Sequence, residues 1–164
     1  MFFEKIQTKI LTRQEAGEKA AQWRNQGNKI VFTNGCFDLL HLGHVHYLAQ
    51  ARDLGDCLFV GLNADASVHR LKGKHRPIQD ERSRAHVLAA LESVDAVVVF
   101  EEDTPLDLIM CIEPDVLVKG GDWKPAQIVG SDVVLAAGGE VRSLPFEEGF
   151  STTAIEEKIR RSIF

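Results

Sequence analysis

Three unbroken apolar runs constrain the fold of this chain more than any other feature: K-I-V-F-T-N-G at 29–35, D-C-L-F-V-G-L-N at 56–63 and V-D-A-V-V-V-F at 94–100. None shows the polar alternation of a half-exposed strand, so each reads as a strand buried on both faces. Helical spacing returns between them. At 12–27, Thr12 and Glu15 have the spacing of a capping box and Gly27 sits where a helix stops. Residues 43–54 place Val45, Leu48, Ala49 and Leu54 at helical period, a short helix fits 64–71, and 81–92 turns Ala85, Leu88, Ala89 and Leu91 inward. Thr104-Pro105 opens another helix as cap residue and first-turn proline. Strands at 115–119 and 140–145 flank a helix at 131–137, and a last helix runs from about 152 to the end. This alternation predicts an α/β, doubly wound, Rossmann-like domain with a five-stranded parallel sheet, order 3-2-1-4-5, joined by right-handed crossovers. In such sheets ligands sit beyond the carboxyl ends of the strands.

A chain of 164 residues suits one domain, here a helical extension at 1–27 followed by a core at 28–164, and the expectation is that no second catalytic domain is present. Nineteen basic against 24 acidic residues give a net charge of −5, a poor match to a nucleic-acid backbone. Cys36, Cys57 and Cys111 form no C-x-x-C pair, which argues against a disulfide framework and a zinc site. No signal pattern opens the chain and no apolar run reaches membrane-spanning length, so a reducing cytoplasm is the expected setting.

The informative residues follow the strands. After the first comes T-N-G-C-F-D-L-L-H-L-G-H at 33–44, which is neither of the common glycine-rich phosphate loops. His41 and His44 stand three apart at a helix start and share a face, and Gly43 between them lets a ligand approach the free N–H groups there. Two imidazoles and open amides suit a polyphosphate. Helix capping by one histidine is the competing reading. A metal site from His41, His44 and His46 lacks a carboxylate or cysteine at ligand spacing, so no metal ligands are assigned. Cys36 reads as a small turn residue rather than a nucleophile, and Asp38 as an orienting residue rather than a base.

The segment G-C-F-D-L-L-H-L-G-H resembles the G-x-F-D-x-x-H-x-G-H signature of the cytidylyltransferase-like nucleotidyltransferases, and four further stretches match in order. In H-R-L-K-G-K-H-R at 69–76, the resemblance makes Lys72 the lysine that covers a triphosphate; a solvated basic turn is the alternative. In E-R-S-R-A-H-V-L it assigns Arg82, otherwise an exposed helix arginine. V-K-G-G-D-W places Lys119, Gly120, Gly121 and Asp122 against the nucleotide, and E-G-F-S-T-T-A-I-E-E puts Ser151 and Thr152 on phosphates, with Thr153 and Glu156 at capping-box spacing. The glycerol-phosphate cytidylyltransferases carry R-T-x-G-I-S-T where this chain has F-E-E-G-F-S-T, so Phe146 stands at their arginine position.

The whole pattern most closely resembles the adenylyltransferases that activate D-glycero-D-manno-heptose 1-phosphate, with R-P-I and A-A-G-G-E-V among the shared stretches. The resemblance implies transfer of AMP from ATP to that sugar 1-phosphate, giving ADP-heptose for lipopolysaccharide or a related glycan and releasing pyrophosphate. It makes His41, His44 and Lys72 catalytic. Thr33, Asn34, Gly35, Cys36, Phe37 and Gly43 join the nucleotide and phosphate contacts, while Asp38, Asn63, Asp65, Lys74 and Arg76 face the sugar phosphate. Mg²⁺ would arrive on ATP, a separate kinase would supply the heptose 1-phosphate, and a homodimer is compatible with the pattern. The alternatives are a cytidylyltransferase for another small phosphate ester such as glycerol 3-phosphate, a nucleotide-binding regulatory module without chemistry, and an RNA-binding domain using the 69–76 run. The net charge and the lack of interleaved aromatics disfavour the last.

Overall fold

The structure, a computed structural model, describes residues 1–163. In chain order its elements are α1 (Phe2–Gln7), β1 (Ile10–Leu11), α2 (Arg13–Asn25), β2 (Ile30–Gly35), α3 (Leu42–Arg52), β3 (Cys57–Asn63), α4 (Asp65–Lys72), α5 (Glu81–Ala89), β4 (Ala96–Phe100), α6 (Leu106–Ile112), β5 (Val116–Gly120), a 3₁₀ turn at Pro125–Gln127, α7 (Ser131–Ala136), β6 (Glu140–Leu144) and α8 (Thr152–Ile163). The last residue of the expected C-terminal helix, Phe164, lies outside the described residues.

All strand pairs are parallel, and the sheet order is β1-β4-β3-β2-β5-β6. This corrects the expectation of five strands in the order 3-2-1-4-5. The sixth strand comes from the segment read as purely helical: Ile10 and Leu11 pair with Val97 and Val98 and cover the edge of β4. Lys9 fixes that edge, its ammonium donating to the carbonyls of Leu91 (3.2 Å) and Val94 (2.6 Å).

Alternate strand residues feed two cores. On one face Phe32, Phe59 and Val98 pack with Ala16 and Ala20 of α2 and Leu108, Ile109 and Ile112 of α6. On the other, Val31, Val60 and Val97 pack with Tyr47 and Leu48 of α3 and Ala85 and Leu88 of α5. Central strands buried on both sides are why their sequences read as unbroken apolar runs. The capping box at α2 is formed: Thr12 N–H donates to Glu15 Oε2 (2.7 Å) and Thr12 Oγ1 accepts from Glu15 N–H. At α6 the proline sits one place earlier than expected, at the N-cap itself, and Thr104 does not cap. Among the described residues no helix is long and apolar enough to cross a membrane, and the three cysteines are free.

Strand order reverses between β2 and β5, and the carboxyl ends of those two strands open a crevice where open α/β sheets place their ligands.

Candidate active site

At the carboxyl end of β2 the chain turns through residues 36–41 into α3. His41 occupies the N-cap position in extended geometry but makes no capping hydrogen bond, so the capping reading fails. Its ring stacks on that of His44, centroids 3.9 Å apart and planes 25° from parallel. Phe37, at φ 44°, packs edge-on against His44 at 5.3 Å. Gly43 makes the stack possible, since a Cβ there would lie 3.0 Å from the His41 ring. Among the described residues, the buried side-chain nitrogens and oxygens without a hydrogen-bond partner are His41 Nδ1 and His44 Nδ1. A buried polar atom left unpaired is costly, and such atoms concentrate where a ligand completes them.

Burial lowers both imidazole pKa values, and for His44, where a proton would also face Lys72 and a protonated His41, the value falls to about 4. Below the unfolded value of about 6.5 the unfolded chain takes up a proton that folded His44 refuses until pH reaches about 4. The contribution to stability is therefore lost as pH falls through that window and is fully present above it. Urea titrations from pH 7.5 to pH 4 should show this loss, and removing the His44 imidazole should flatten it.

The histidines border a 740 Å³ cavity, a size typical of small-molecule sites. From β2 and the following loop it receives Asn34, Gly35, Cys36 and Phe37, from the first turn of α3 Gly43, and from β3 Asn63. Lys72 comes from the end of α4, Lys119 and Gly120 from β5, and Ser151 and Thr152 from the start of α8. Ser151 caps α8 by accepting from Ala154 N–H (3.0 Å), in place of the expected Thr153 box; the Glu156 carboxylate goes to Arg76 instead.

Other expected site residues lie elsewhere. Thr33 is fully buried, its hydroxyl 2.6 Å from that of Tyr47, directly under the cavity wall. Asp38 accepts from the N–H groups of Ile78 (2.8 Å) and Gln79 (2.9 Å) and from Arg76 (3.1 Å). Burial pushes its carboxyl up, but these donors outweigh it and hold Asp38 below the usual carboxylate range. Arg76 is taken up by Asp38 and Glu156, and Asp65 by Arg84 at 2.7 Å. Arg82, Lys74, Gly121 and Asp122 do not line the cavity; Arg82 is exposed, and two positions on Arg84 is buried. Gly121 instead sustains the turn at φ 105° that returns Trp123 to the cavity wall.

Sequence reasoning passed over an aromatic rim. Trp123 donates its indole N–H to the Gly120 carbonyl (3.0 Å), with the Lys119 ammonium 5.9 Å from its ring centroid. Phe146 lies so close over Gly120 that a Cβ there would be 2.7 Å from its ring. Phe150 flanks His41, and Glu147 pairs with His46, which stands apart from the stacked pair. The glycine pair before Trp123 was the available signal, because close backbone approach needs a partner to approach. A second hollow, 770 Å³, lies at the opposite end of the sheet, but its charges are consumed: Lys29 by Glu140, and Arg24 by the carbonyls of Ile112 and Glu113. Stacked imidazoles, two ammonium groups and a hydroxyl-bearing helix start converge in the first cavity, and that set matches a polyphosphate.

Comparison with known proteins agrees with this chemistry. The cytidylyltransferase-like family model matches residues 32–158. The chain is 58% identical over 156 residues to the bifunctional protein HldE of Wolinella succinogenes, covering 95% of this chain and 32% of that protein. It is 61% identical over 140 residues to HldE of Bradyrhizobium diazoefficiens, covering 85% and 28%. The chain thus spans about a third of the length of the curated relatives it matches. Among solved structures, the lipopolysaccharide core biosynthesis protein of Thermoplasma volcanium superposes with a TM-score of 0.61 at 32% identity, over 74% of this chain and 98% of that one. Pantoate-beta-alanine ligase from Francisella tularensis shares the fold alone, at 14% identity and a TM-score of 0.57 over 94% and 78% of the two chains. With the signature on the cavity wall and the family model spanning 32–158, this chain belongs to the cytidylyltransferase-like family of nucleotidyltransferases.

Proposed function

We propose that this chain transfers AMP from ATP to D-glycero-D-manno-heptose 1-phosphate, forming ADP-heptose and pyrophosphate in the cytoplasm. The observation that carries the reading is the stacked His41–His44 pair, with both Nδ1 atoms buried and unpaired beside a cavity bearing Lys72 and Lys119. Identity of about 60% to HldE proteins and the lipopolysaccharide name of a solved relative support the heptose acceptor. Making a sugar 1-phosphate takes a phosphoryl transfer to the anomeric hydroxyl, so a sugar kinase acts upstream.

A sugar phosphate with a second pKa near ~6 is already a dianionic nucleophile at pH 7, and no general base is required. Its oxygen attacks the α-phosphorus of ATP, the bond to the β-phosphate oxygen breaks, and pyrophosphate leaves with the electron pair. Catalysis then consists of positioning and charge stabilisation. His41 and His44, neutral at pH 7, offer ring N–H groups to the phosphate oxygens where charge accumulates. Lys72 bridges the phosphates of the two substrates, and Ser151, Thr152 and the first amides of α8 receive the pyrophosphate end. Lys119, Gly120 and the aromatic rim border the nucleoside, and Asn63 the acceptor. Magnesium enters as part of MgATP and shields the triphosphate. Arg82, Asp65 and Lys74 have no place in this scheme.

A pyrophosphate-release assay pairing ATP and CTP with both anomers of heptose 1-phosphate and with glycerol 3-phosphate tests the reading. Turnover is expected with ATP and one heptose anomer. Turnover confined to CTP or to glycerol 3-phosphate would replace it with the cytidylyl reading, and no pyrophosphate from any pair would leave only nucleotide binding.

A further inference from the structure

Helix α8 carries hydroxyls of the phosphate site at its start, yet none of its residues is buried, and Ile159 and Ile163 are exposed along its outer half. Hydrophobic burial therefore does little to dock it. Among the described residues, two hydrogen bonds join α8 to the rest of the fold. Thr152 Oγ1 donates to the Leu39 carbonyl at a long 3.4 Å, and Arg76 Nη2 donates to Glu156 Oε2 at 2.6 Å. The second is the strong one, being short, charge-assisted and shielded, with the Arg76 side chain 16% exposed and that of Glu156 24%.

Arg76 is itself anchored. Its Nη1 donates to Asp38, whose side chain is 5% exposed and which also accepts the N–H groups of Ile78 and Gln79. Asp38 lies in the loop that ends at His41. The guanidinium thus forks between a carboxylate of the histidine loop and a carboxylate of the helix that faces it, and neither end is free for a ligand. Without the arginine those two carboxylates would repel.

We infer that Arg76 and Glu156 are positioning residues, a latch that docks α8 and brings Ser151, Thr152 and Thr153 against the His41–His44 pair. This rests on the reading of the cavity as a phosphate site. With the latch broken, α8 undocks while exposing little apolar surface, so the loss is local rather than global. Nucleotide affinity then falls by the fraction of molecules in which the helix is docked.

The test uses Glu156→Gln, which keeps the shape and removes the charge, with Glu156→Asp as the conservative variant. Hydrogen exchange of the ligand-free protein should show α8 amides exchanging about tenfold faster in E156Q, with the sheet unchanged. Calorimetric titration with MgATP should give a Kd raised about tenfold, and Glu156→Asp should recover part of both effects. If Arg76 were instead a substrate ligand held in reserve, freeing it would tighten anion binding. Unchanged α8 exchange, or tighter ATP binding by E156Q, overturns the latch. Failure of the wild-type protein to bind MgATP would overturn the phosphate-site reading, while α8 exchange would still decide the latch.

Discussion

Replacement of His44 by alanine is expected to lower kcat by about 10²–10³, the loss that follows removal of one donor aimed at charge developing in a transition state. Because that interaction strengthens as the α-phosphate reacts, kcat and kcat/KM should fall together while the KM for ATP moves little. Stability should respond in the opposite sense from that of an ordinary buried residue. His44 Nδ1 is buried without a partner and burial lowers the imidazole pKa to about 4, so at pH 7.5 the ring is neutral in the folded and the unfolded chain and its titration adds no penalty. At pH 7.5 the melting temperature should change by less than about 3 °C, under about 1 kcal/mol for a chain of this size. At pH 5 the variant should be the more stable protein, since wild type alone carries the acid penalty of His44. The stacked rings act as a unit, so adding His41→Ala to His44→Ala should cost far less than the product of the single losses. Near-wild-type kcat in His44→Ala would remove the pair from the chemistry. A large drop in melting temperature with kcat intact would make it a packing element.

The histidine pair was legible because its chemistry is local. Three residues of spacing and a glycine between them determine that two imidazoles share a face, whatever the rest of the chain does. The central strands were legible for a similar reason, their apolar runs recording burial on both faces. Ile10 and Leu11 could not be read that way, since two residues carry no period and their pairing depends on the exposed edge of β4, which forms from sequence more than eighty residues later. Asp38 and Arg76 look like ligand-facing charges in a loop until the fold brings Glu156 and the amides of Ile78 and Gln79 to them. Asp65 looks like another ligand-facing charge just past β3, yet its carboxylate turns to Arg84. In each case the partner is distant in sequence, and a charged side chain carries no local sign of whether it meets a substrate or another side chain.

The two arginines of E-R-S-R show that limit most sharply, and they lead to the largest expected effect on stability. Arg82 matches the motif and is exposed; Arg84 does not match and has a side chain with no exposure at all. Its guanidinium donates to the carbonyls of Gln79 (3.0 Å), Cys36 (2.8 Å) and Asn63 (2.8 Å) and to Asp65 (2.7 Å). Those carbonyls belong to the loop after β2, the end of β3 and the segment before α5, so one planar cation ties three backbone segments beneath the cavity. Arg84→Met fills similar space but offers no donors, leaving buried carbonyls unpaired and Asp65 without its counter-charge. The expected loss is about 3–5 kcal/mol, the range for breaking a buried pair by removing one partner, and a large share of the ~5–15 kcal/mol that holds a domain together. Arg84→Lys keeps the charge but cannot reach carbonyls in several directions at once, so it should recover only part. Asp65→Asn, at a partly exposed position, should cost less than about 1 kcal/mol. Urea unfolding of the three variants at pH 7.5 separates these values. An Arg84→Met protein within about 1 kcal/mol of wild type would mean that the segments under the cavity hold together without the guanidinium.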